Sequence, residues 1–372
     1  MKKIVTIFSG LFDLHLSKDV GQVVNYLAMG GVFSSKIVTY KNQSNYKELG
    51  IEAKNVEIEF LPIKYKLWNL NLGVLFYLFK KSREIDVLNL YGRRTLNLIY
   101  AFIYKSLNRK GYVYIKMDCD IFYYLNQIGY SYKFKELIFN IFCNLVDLYS
   151  IETIKSYEYF LQQKNKINSR LIYLPNCVND LYINKNIRIK NYSEKENIIL
   201  VVGRIGAKQK NHQLLLEAIK KIELGEWKIV FIGPIEDSFK NTVQKLKLNN
   251  SKVIFQGNIQ DRTDLYEWYN RSKIFCLTSD YEGFSVASVE ALYFGNWIVA
   301  SRLTSTEEIL NDQNNGFLFE PGNQAELEYL LKKSIEKGFL CEEKFLSIRK
   351  FAMNRYEWSK NIKKLESILL NS

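Results

Sequence analysis

Residues 279–292 read SDYEGFSVASVEAL, and this stretch carries the strongest fold signal in the chain. Its two carboxylates, Glu282 and Glu290, are separated by seven residues; the first precedes Gly-Phe-Ser and the second lies in an apolar run. The pattern predicts a strand-end loop leading into a helix, where small residues let backbone N–H groups approach a bound anion or sugar. Glu290, two turns into that helix, can accept hydrogen bonds from the vicinal hydroxyls of a ribose or a hexose. The alternative is an amphipathic helix with two solvated glutamates.

A second strand, loop and helix precede this stretch. Residues 198–204 read IILVVGR, an apolar run typical of a buried parallel strand, and a helical pattern follows at residues 214–219. Arg204 and Lys210 lie between them. A planar guanidinium and a mobile ammonium at a helix N-terminus can clamp a diphosphate, although surface cations on a loop are the alternative.

These features, with others that follow in the same order, resemble the C-terminal half of retaining glycosyltransferases of family 4, which have the GT-B fold. The matching positions are Gly203-Arg204, Lys210-Asn211, the two glutamates, Gly295, residues 299–301, residues 315–319 and Pro321-Gly322. The first half resembles the family only in outline, through residues 4–8, Gly21, residues 147–152 and residues 174–179.

The fold class is therefore expected to be α/β of the GT-B type, with two Rossmann-like domains facing across a cleft. Residues 1–182 would bind the acceptor, residues 183–355 the nucleotide-sugar donor, and residues 356–372 would form a helix crossing back to the first domain. Apolar runs alternating with helical patterns support two parallel sheets. The expected strands are residues 4–8, 36–40, 56–61, 87–90, 112–116, 148–151 and 171–174, then 198–202, 228–231, 253–256, 274–277, 297–300 and 316–319. The polar residues 179–197 are expected to be the linker.

The resemblance also implies roles for individual residues. Arg204, Lys210 and Glu282 are expected to be catalytic, the two cations by stabilising the leaving diphosphate and Glu282 by contacting the donor sugar. The expected donor-binding residues are Gly203, Gly257, Asn258, Ile259, Gly283, Phe284, Ser285 and Glu290. His15, Gly21 and Asp118 are candidates for acceptor binding, Asp118 in place of a histidine that many relatives carry. His212 is expected to be solvated or to cap a helix. No metal and no cofactor is expected.

The implied reaction is transfer, with retention of configuration, of a hexose from a nucleotide-diphosphate sugar to a saccharide. A UDP-sugar is the favoured donor and GDP-mannose the second. The expected acceptor is a lipid-linked glycan in capsule, O-antigen or exopolysaccharide assembly. The alternatives are a GT-B sugar-nucleotide 2-epimerase and a basic nucleic-acid-binding protein.

Charge and composition point to where the protein works. The net charge is +13, and residues 1–190 hold 27 Lys and Arg against 15 Asp and Glu. Residues 60–83 contain no acid and interleave Lys64, Lys66, Lys80, Lys81 and Arg83 with Tyr65, Trp68, Phe76, Tyr77 and Phe79. This pattern favours docking of the first domain on an anionic membrane, although a core-packed helix with basic ends is the alternative. Five scattered cysteines favour a reducing compartment. We therefore expect a cytoplasmic protein, peripheral at the inner face of the plasma membrane, with no nucleic-acid partner.

Overall fold

The computed structural model describes residues 1–62, 64, 66–67, 70–92, 94–117, 142–162, 168–249 and 251–372. The chain forms two compact units. Unit 1 comprises Met1–Asn179 and Trp358–Ser372, and unit 2 comprises Asp180–Glu357. The expected boundaries were at 182/183 and 355/356. Within the described ranges, no helix is both long and apolar enough to span a bilayer.

Unit 1 contains a seven-stranded parallel sheet with the order β3-β2-β1-β6-β7-β8-β9. Its strands are β1 (Lys2–Ile7), β2 (Phe33–Thr39), β3 (Val56–Phe60), β6 (Val87–Tyr91), β7 (Tyr112–Met117), β8 (Leu148–Ile151) and β9 (Leu171–Tyr173). A separate antiparallel hairpin pairs β4 (Lys66–Leu67) with β5 (Leu70–Asn71). The helices are α1 (Asp19–Met29), α2 (Leu72–Lys81), α3 (Thr95–Leu107), α4 (Ile154–Gln162) and α13 (Trp358–Leu370).

The core of unit 1 lies on both faces of this sheet, because successive strand residues point to opposite sides. Ile4 belongs to a cluster with residues of α1 and α13, whereas the next residue, Val5, belongs to one with residues of α2 and α3. A sheet covered on both faces needs almost continuously apolar strands, and every residue of β6 is buried.

The last helix, α13, is part of unit 1. Trp358, Ile362, Leu365 and Leu369 are buried in the cluster that includes residues of α1. At its end, the Lys2 ammonium donates to the carbonyls of Leu369, Leu370 and Ser372 at 3.0, 3.1 and 2.6 Å. The last residues are thereby tied to the first strand.

Unit 2 contains a six-stranded parallel sheet with the order β12-β11-β10-β13-β14-β15. Its strands are β10 (Glu196–Val202), β11 (Lys228–Ile232), β12 (Val253–Gly257), β13 (Ser272–Leu277), β14 (Trp297–Ser301) and β15 (Gly316–Phe319). The helices are α5 (Asp180–Asn186), α6 (His212–Ile219), α7 (Lys240–Asn249), α8 (Arg262–Arg271), α9 (Val286–Tyr293), α10 (Thr304–Leu310), α11 (Gln324–Ile335) and α12 (Glu342–Arg355). The expected strands of both halves are confirmed.

The expected linker at residues 179–197 is wrong at both of its ends. Helix α5 begins at Asp180, and Tyr182 of this helix shares a hydrogen bond of 2.8 Å with Thr263. Near the other end, the ammonium of buried Lys195 donates to the carbonyls of Tyr269 and Ser272 at 3.2 and 2.8 Å. These polar side chains find partners within unit 2, so polar composition alone did not identify a linker.

Candidate active site

The order of strands in unit 2 places a switch point between β10 and β13. The chain runs outward from β10 through β11 and β12, then returns to pair β13 with the other edge of β10. Loops that follow two such strands diverge and leave a crevice at the carboxyl end of the sheet, where open α/β sheets bind ligands. Arg204 and Lys210 follow β10 and Glu282 follows β13, so the residues expected to be catalytic lie in these two loops.

Hydrogen bonds join the two loops. The Asp280 N–H donates to the Gln209 carbonyl at 2.8 Å, and the Gln209 side chain donates to the Tyr281 carbonyl at 2.7 Å. The Thr278 hydroxyl donates to the Lys210 carbonyl at 2.8 Å. Backbone groups supply most of these contacts, so the loops are held in register largely independently of the side chains that would meet a ligand.

Lys210 and Glu282 form an ion pair across these loops. The Glu282 carboxylate also accepts a hydrogen bond of 2.6 Å from the Ser279 hydroxyl, on the same oxygen that Lys210 contacts. Both charged side chains are mostly buried, with 18% and 11% of their surfaces exposed. The structure thus brings together two of the three expected catalytic residues and fixes the lysine ammonium at the crevice.

Arg204, the third expected catalytic residue, is not part of this cluster. Its side chain is exposed and makes no hydrogen bond or ion pair with the residues that the structure describes. An exposed guanidinium keeps its five donors available for phosphate oxygens.

The loops that follow β10 and β11 approach each other closely at two glycines. A Cβ on Gly233, just after β11, would lie 1.8 Å from the carbonyl oxygen of Gly203, so the two loops approach too closely for any side chain there. The Gly233 N–H in turn donates to the Gly257 carbonyl at 2.8 Å. The sequence analysis predicted Gly203 and Gly257 but missed Gly233, although the Gly-Pro pair after an apolar strand was a usable signal.

The loop expected to meet the nucleobase follows β12. Gly257 has φ +78°, Asn258 is exposed and Ile259 is half-buried. The loop ends where Asp261 caps α8, its carboxylate accepting from the N–H groups of Thr263 and Asp264 at 2.7 and 3.3 Å.

The loop after β13 ends at the N-terminus of α9. Ser285 is the N-cap residue, and its side chain accepts from the Ser288 N–H at 3.3 Å. Phe284 is buried with its ring edge against Tyr356, at 6.2 Å between ring centroids. The phenyl ring therefore anchors the loop in the core, which leaves the backbone of Gly283–Ser285 as the part that can face a ligand.

Glu290 lies in α9 and is 5% exposed. Its carboxylate forms an ion pair with Arg262, the first residue of α8. The Arg262 guanidinium also donates to the Tyr266 hydroxyl at 2.8 Å and lies 4.5 Å from the centre of the Tyr266 ring. Arg262 was not predicted from the sequence, because nothing local marks it as the partner of a glutamate 28 positions away.

His212 is buried rather than solvated, which corrects the expectation for this residue. Its Nδ1 atom accepts the N–H of Gly206 at 3.1 Å, and its ring packs against Phe231 and Phe239. Burial, with a smaller effect from the nearby charge of Lys210, lowers the pKa of His212 from 6.5 to about 4. The neutral ring therefore holds the loop that carries the two cations.

The candidate acceptor residues belong to unit 1. His15 is half-buried, accepts the Phe12 N–H on Nδ1 at 2.9 Å, and has a pKa lowered to about 4, chiefly by burial. Gly21 packs against the backbone of Leu16, where a Cβ would lie 2.2 Å from the carbonyl oxygen, so packing explains this glycine. Asp118 lies outside the described residues.

A buried ion cluster occupies the carboxyl edge of the same sheet. The ammonium of Lys116, which is fully buried, lies 2.6 Å from a Glu152 oxygen and 3.6 Å from an Asp19 oxygen. Asn176 donates to the same Glu152 oxygen at 3.0 Å. Burial lowers the pKa of Lys116, but the two carboxylates outweigh burial and leave the pKa above its ordinary value. The cluster thus fixes β7, β8 and the start of α1 relative to one another.

The chain is similar to known proteins in sequence and in fold. Residues 183–352 match the model of the family described as "Glycosyl transferases group 1". A protein described as an uncharacterised 41.2 kDa protein in the cps region of Klebsiella pneumoniae is 25% identical over 352 residues, covering 91% of this chain and 93% of that protein.

Solved structures show the same fold over the whole chain. The Anabaena HepE protein in complex with UDP-glucose has a TM-score of 0.76 at 16% identity, with each chain covered completely. WaaG, a glycosyltransferase involved in lipopolysaccharide biosynthesis, has a TM-score of 0.67 at 14% identity, covering 99% of this chain and 100% of WaaG. The two α/β units therefore have the GT-B fold of these structures.

Proposed function

We propose that this protein is a retaining glycosyltransferase that moves a hexose from a UDP-sugar to a saccharide acceptor. The observation that carries the proposal is the pair of cation–carboxylate contacts in unit 2, Lys210 with Glu282 and Arg262 with Glu290. One pair belongs to the loops at the switch point, and the other holds the glutamate expected to meet the ribose. Polar groups fixed in a partly buried crevice are the arrangement that stabilises charge developing in a transition state.

The proposed reaction breaks the bond between the anomeric carbon and the β-phosphate oxygen. A new bond forms between that carbon and an acceptor hydroxyl oxygen on the same face of the sugar, which retains the configuration. The acceptor proton passes to an oxygen of the leaving phosphate. Lys210 and Arg204 stabilise the charge that develops on the diphosphate, and Glu282 accepts hydrogen bonds from the hydroxyls of the transferred sugar. The charge on the leaving group is matched by protein cations, so we propose that no metal is needed.

The choice of UDP rests on a structural neighbour, because HepE was crystallised with UDP-glucose. GDP-mannose is the second candidate donor. The choice of acceptor rests on the Klebsiella relative, which is described as lying in a cps region. We therefore propose that the acceptor is a lipid-linked glycan of capsule or related surface-polysaccharide assembly.

A surface of unit 1 supports a membrane location for this acceptor. Helices α2 and α3 pack against each other. Each buries one side and exposes large apolar side chains on the other: Phe76 and Phe79 are 53% and 64% exposed, and Ile99 and Phe102 are 38% and 52% exposed. We name these four residues, with exposed Lys80 and Arg83, the apolar–basic face.

The described residues between positions 60 and 83 have features of both the packed-helix and the membrane-docking interpretations. Tyr77 is core-packed, as the packed-helix alternative expected, and Lys81 pairs with Glu84. Phe76, Phe79 and Lys80 remain exposed, as membrane docking requires. Tyr65 and Trp68 lie outside the described residues. Exposed aromatics beside cations suit the interface of an anionic bilayer, so we propose peripheral attachment at the inner face of the plasma membrane.

Vesicle co-sedimentation tests the attachment. The parent protein should bind anionic vesicles, less so at high salt, and the change of Phe76 and Phe79 to Ser should reduce binding at least about tenfold, since burial of aromatic area is lost. The change of Lys64, Lys66, Lys80 and Lys81 to Gln should also reduce binding. Tyr329→Ser removes a side chain that is 62% exposed in unit 2 and serves as the matched control. Equal binding by the parent and the Phe76/Phe79 variant would rule out this surface.

The reaction itself is tested with labelled UDP-sugars and a lipid-linked saccharide acceptor in the presence of EDTA. Transfer should proceed, and NMR of the product should show the anomeric configuration of the donor. Inverted product would contradict retention, and loss of activity that magnesium or manganese restores would contradict the metal-free mechanism. Conversion of the donor sugar without any acceptor would instead identify a 2-epimerase.

A further inference from the structure

Arg262 forms an ion pair with Glu290, although the expected donor site did not include it. Glu290 is buried, and a buried carboxylate needs a counter-charge or several hydrogen-bond donors. Arg262 Nη2 donates a hydrogen bond to Oε1 of this carboxylate. Burial, with a smaller effect from the Glu290 charge, raises the pKa of the Tyr269 hydroxyl, so this buried residue also interacts with the carboxylate.

The guanidinium is itself fixed on two sides. It donates to the Tyr266 hydroxyl at 2.8 Å and lies over the Tyr266 ring at 4.5 Å, both contacts within the first turn of α8. The Tyr266 ring is in turn packed between Tyr182 and Phe294, with ring centroids at 6.2 and 5.8 Å. Because the arginine fork is planar and its plane is set by this packing, the orientation of the Glu290 carboxylate is set as well.

The ion pair also connects two parts of the donor site. Arg262 begins the helix that follows the loop of Gly257, Asn258 and Ile259, which is expected to meet the nucleobase. Glu290 lies in the helix that follows the sugar- and phosphate-facing loop after β13. The ion pair between Arg262 and Glu290 therefore links the helix beside the expected nucleobase site to the helix beside the expected ribose site.

We infer that Arg262 is a positioning residue for the nucleotide: it orients Glu290 to accept hydrogen bonds from the ribose hydroxyls and so sets a preference for ribonucleotides over deoxyribonucleotides. The inference rests on the proposed function. A site built to bond a hydroxyl discriminates strongly against an analogue that lacks it, because the buried acceptor is then left unpaired.

The experiment measures the affinities of UDP and 2′-deoxy-UDP by calorimetry. The parent should prefer UDP by about 10- to 100-fold, the discrimination expected of one buried hydrogen bond to a charged acceptor. Arg262→Gln should weaken UDP binding by about 10- to 100-fold and 2′-deoxy-UDP binding much less, so that the preference collapses. In turnover assays, KM for the UDP-sugar should rise more than kcat falls, since Arg262 contacts no reacting atom.

Arg271→Gln is the matched control. Arg271 lies on the same helix, pairs with Glu196 at 2.6 Å and covers the Trp268 ring at 4.4 Å, but it contacts no residue of the donor site. This variant should bind both nucleotides as the parent does. Arg262→Lys keeps the charge but not the planar fork, so it should retain the fold and lose part of the preference.

The outcomes separate the inference from the proposed function. If the parent binds UDP but Arg262→Gln keeps the same UDP preference, Arg262 does not position Glu290 and the inference is wrong, while the proposed function stands. If Arg262→Gln does not fold, an unchanged preference in Arg262→Lys overturns the inference in the same way. If the parent binds no nucleotide, the proposed function and the inference are both wrong.

Discussion

Arg204 and Lys210 are cations of the same loop, but they lie in different surroundings. Arg204 is exposed and has no side-chain partner in the described chain, whereas Lys210 neutralises the mostly buried Glu282. In the proposed mechanism both cations act in catalysis, but only Lys210 is also expected to contribute to the stability of the fold.

We predict that Arg204→Ala and Lys210→Ala each reduce turnover by roughly two to three orders of magnitude, the usual effect of removing a donor that stabilises transition-state charge. Their effects on unfolding should differ. Arg204→Ala should change the free energy of unfolding by less than about 0.5 kcal/mol. Lys210→Ala should lower it by several-fold more, because the Glu282 charge is left without its partner. Urea unfolding of both variants, with Glu282→Gln added to Lys210→Ala to restore stability, is the measurement; equal destabilisation by the two single changes would contradict this account.

The lowered pKa of His212 should make the free energy of unfolding depend on pH. Its pKa is 6.5 when unfolded and about 4 when folded, so the unfolded state binds the proton more tightly. The stability that the neutral ring contributes is present above pH 6.5 and is lost as the pH falls towards 4, by roughly 3 kcal/mol at about 1.4 kcal/mol per pKa unit.

His212→Asn should flatten this dependence, because the Asn oxygen can replace Nδ1 as the acceptor for Gly206 but does not titrate. His15 has a similarly lowered pKa and remains in both proteins, so the difference between them isolates His212. The measurement is urea unfolding at several pH values between 7.5 and 4. Parallel curves for parent and variant would show that His212 is not buried as described.

Some interactions of single side chains could not be predicted from the sequence. The pairing of Glu282 with Lys210 and of Glu290 with Arg262 depends on side chains 72 and 28 positions apart, which no local pattern specifies. His212 lies beside Lys210 in the loop after β10 and was therefore expected to be solvated or to cap a helix, but Phe231 and Phe239 cover it from other segments. The types of residue at the site could be predicted from the chemistry that the site requires. The side chains that pair with them or pack against them could not be predicted.

The loop between β10 and α6 is tightly packed at Gly206. Gly206 has φ +86°, and a Cβ there would lie 2.3 Å from the Cβ of Phe239. Gly225 also has a positive φ, +53°, but a Cβ on it would meet no atom within 4 Å. The two glycines share the backbone constraint and differ in steric crowding.

We predict that Gly225→Ala lowers the free energy of unfolding by about 1 kcal/mol, the cost of a left-handed conformation in a residue with a Cβ. Gly206→Ala should cost several kcal/mol, because Phe239 lies against it through a backbone-proximal atom that cannot swing away. Gly206→Ala should also weaken UDP binding by displacing the loop of Arg204 and Lys210. Urea unfolding and UDP titration of the two variants test this; similar costs for both would contradict the described packing of Phe239.

The positions of the strands could be predicted because the signal for a buried strand is local in the sequence. A buried parallel strand needs a continuous apolar run, which is a local property of the sequence. The expected linker failed because residues rich in Asn and Lys form helix α5, which buries Asp180 and Ile183 in unit 2. Polar composition does not distinguish a linker from a helix whose few apolar residues face a core.

At the scale of the whole molecule, α13 joins the last residues of the chain to its first strand. Leu365 is fully buried in the core of unit 1, whereas Leu370, at the end of the same helix, is 37% exposed. Four buried side chains of this helix, each contributing about 1.5–3 kcal/mol, make it a structural part of unit 1.

We predict that Leu365→Ala lowers the free energy of unfolding of unit 1 by about 2–5 kcal/mol and that Leu370→Ala changes it by less than about 1 kcal/mol. Scanning calorimetry measures both, and the transition of unit 2 should be unchanged in each. An equal, small effect of the two changes would mean that α13 is not packed in unit 1.

The division into two parallel-sheet units was predictable because strand, loop and helix signals alternate in both halves of the sequence. The donor side was predictable in more detail than the acceptor side. The proposed donor site consists of a loop at a switch point and two glutamates at a fixed spacing, and both features are visible in the sequence. The proposed acceptor site in unit 1 has no such pattern: Gly21 is explained by packing against Leu16, and Lys116 is neutralised by Glu152.

The central claim is that unit 2 binds a uridine diphosphate between the cations after β10 and the glutamates after β13. The most direct measurement is the melting temperature of the parent protein with UDP, and with GDP at the same concentration, in the presence of EDTA, because a ligand that binds only the folded state raises it. We predict a clear rise with UDP, a smaller one with GDP, and loss of the UDP effect in Arg204→Ala. A melting temperature that neither nucleotide changes would contradict the account.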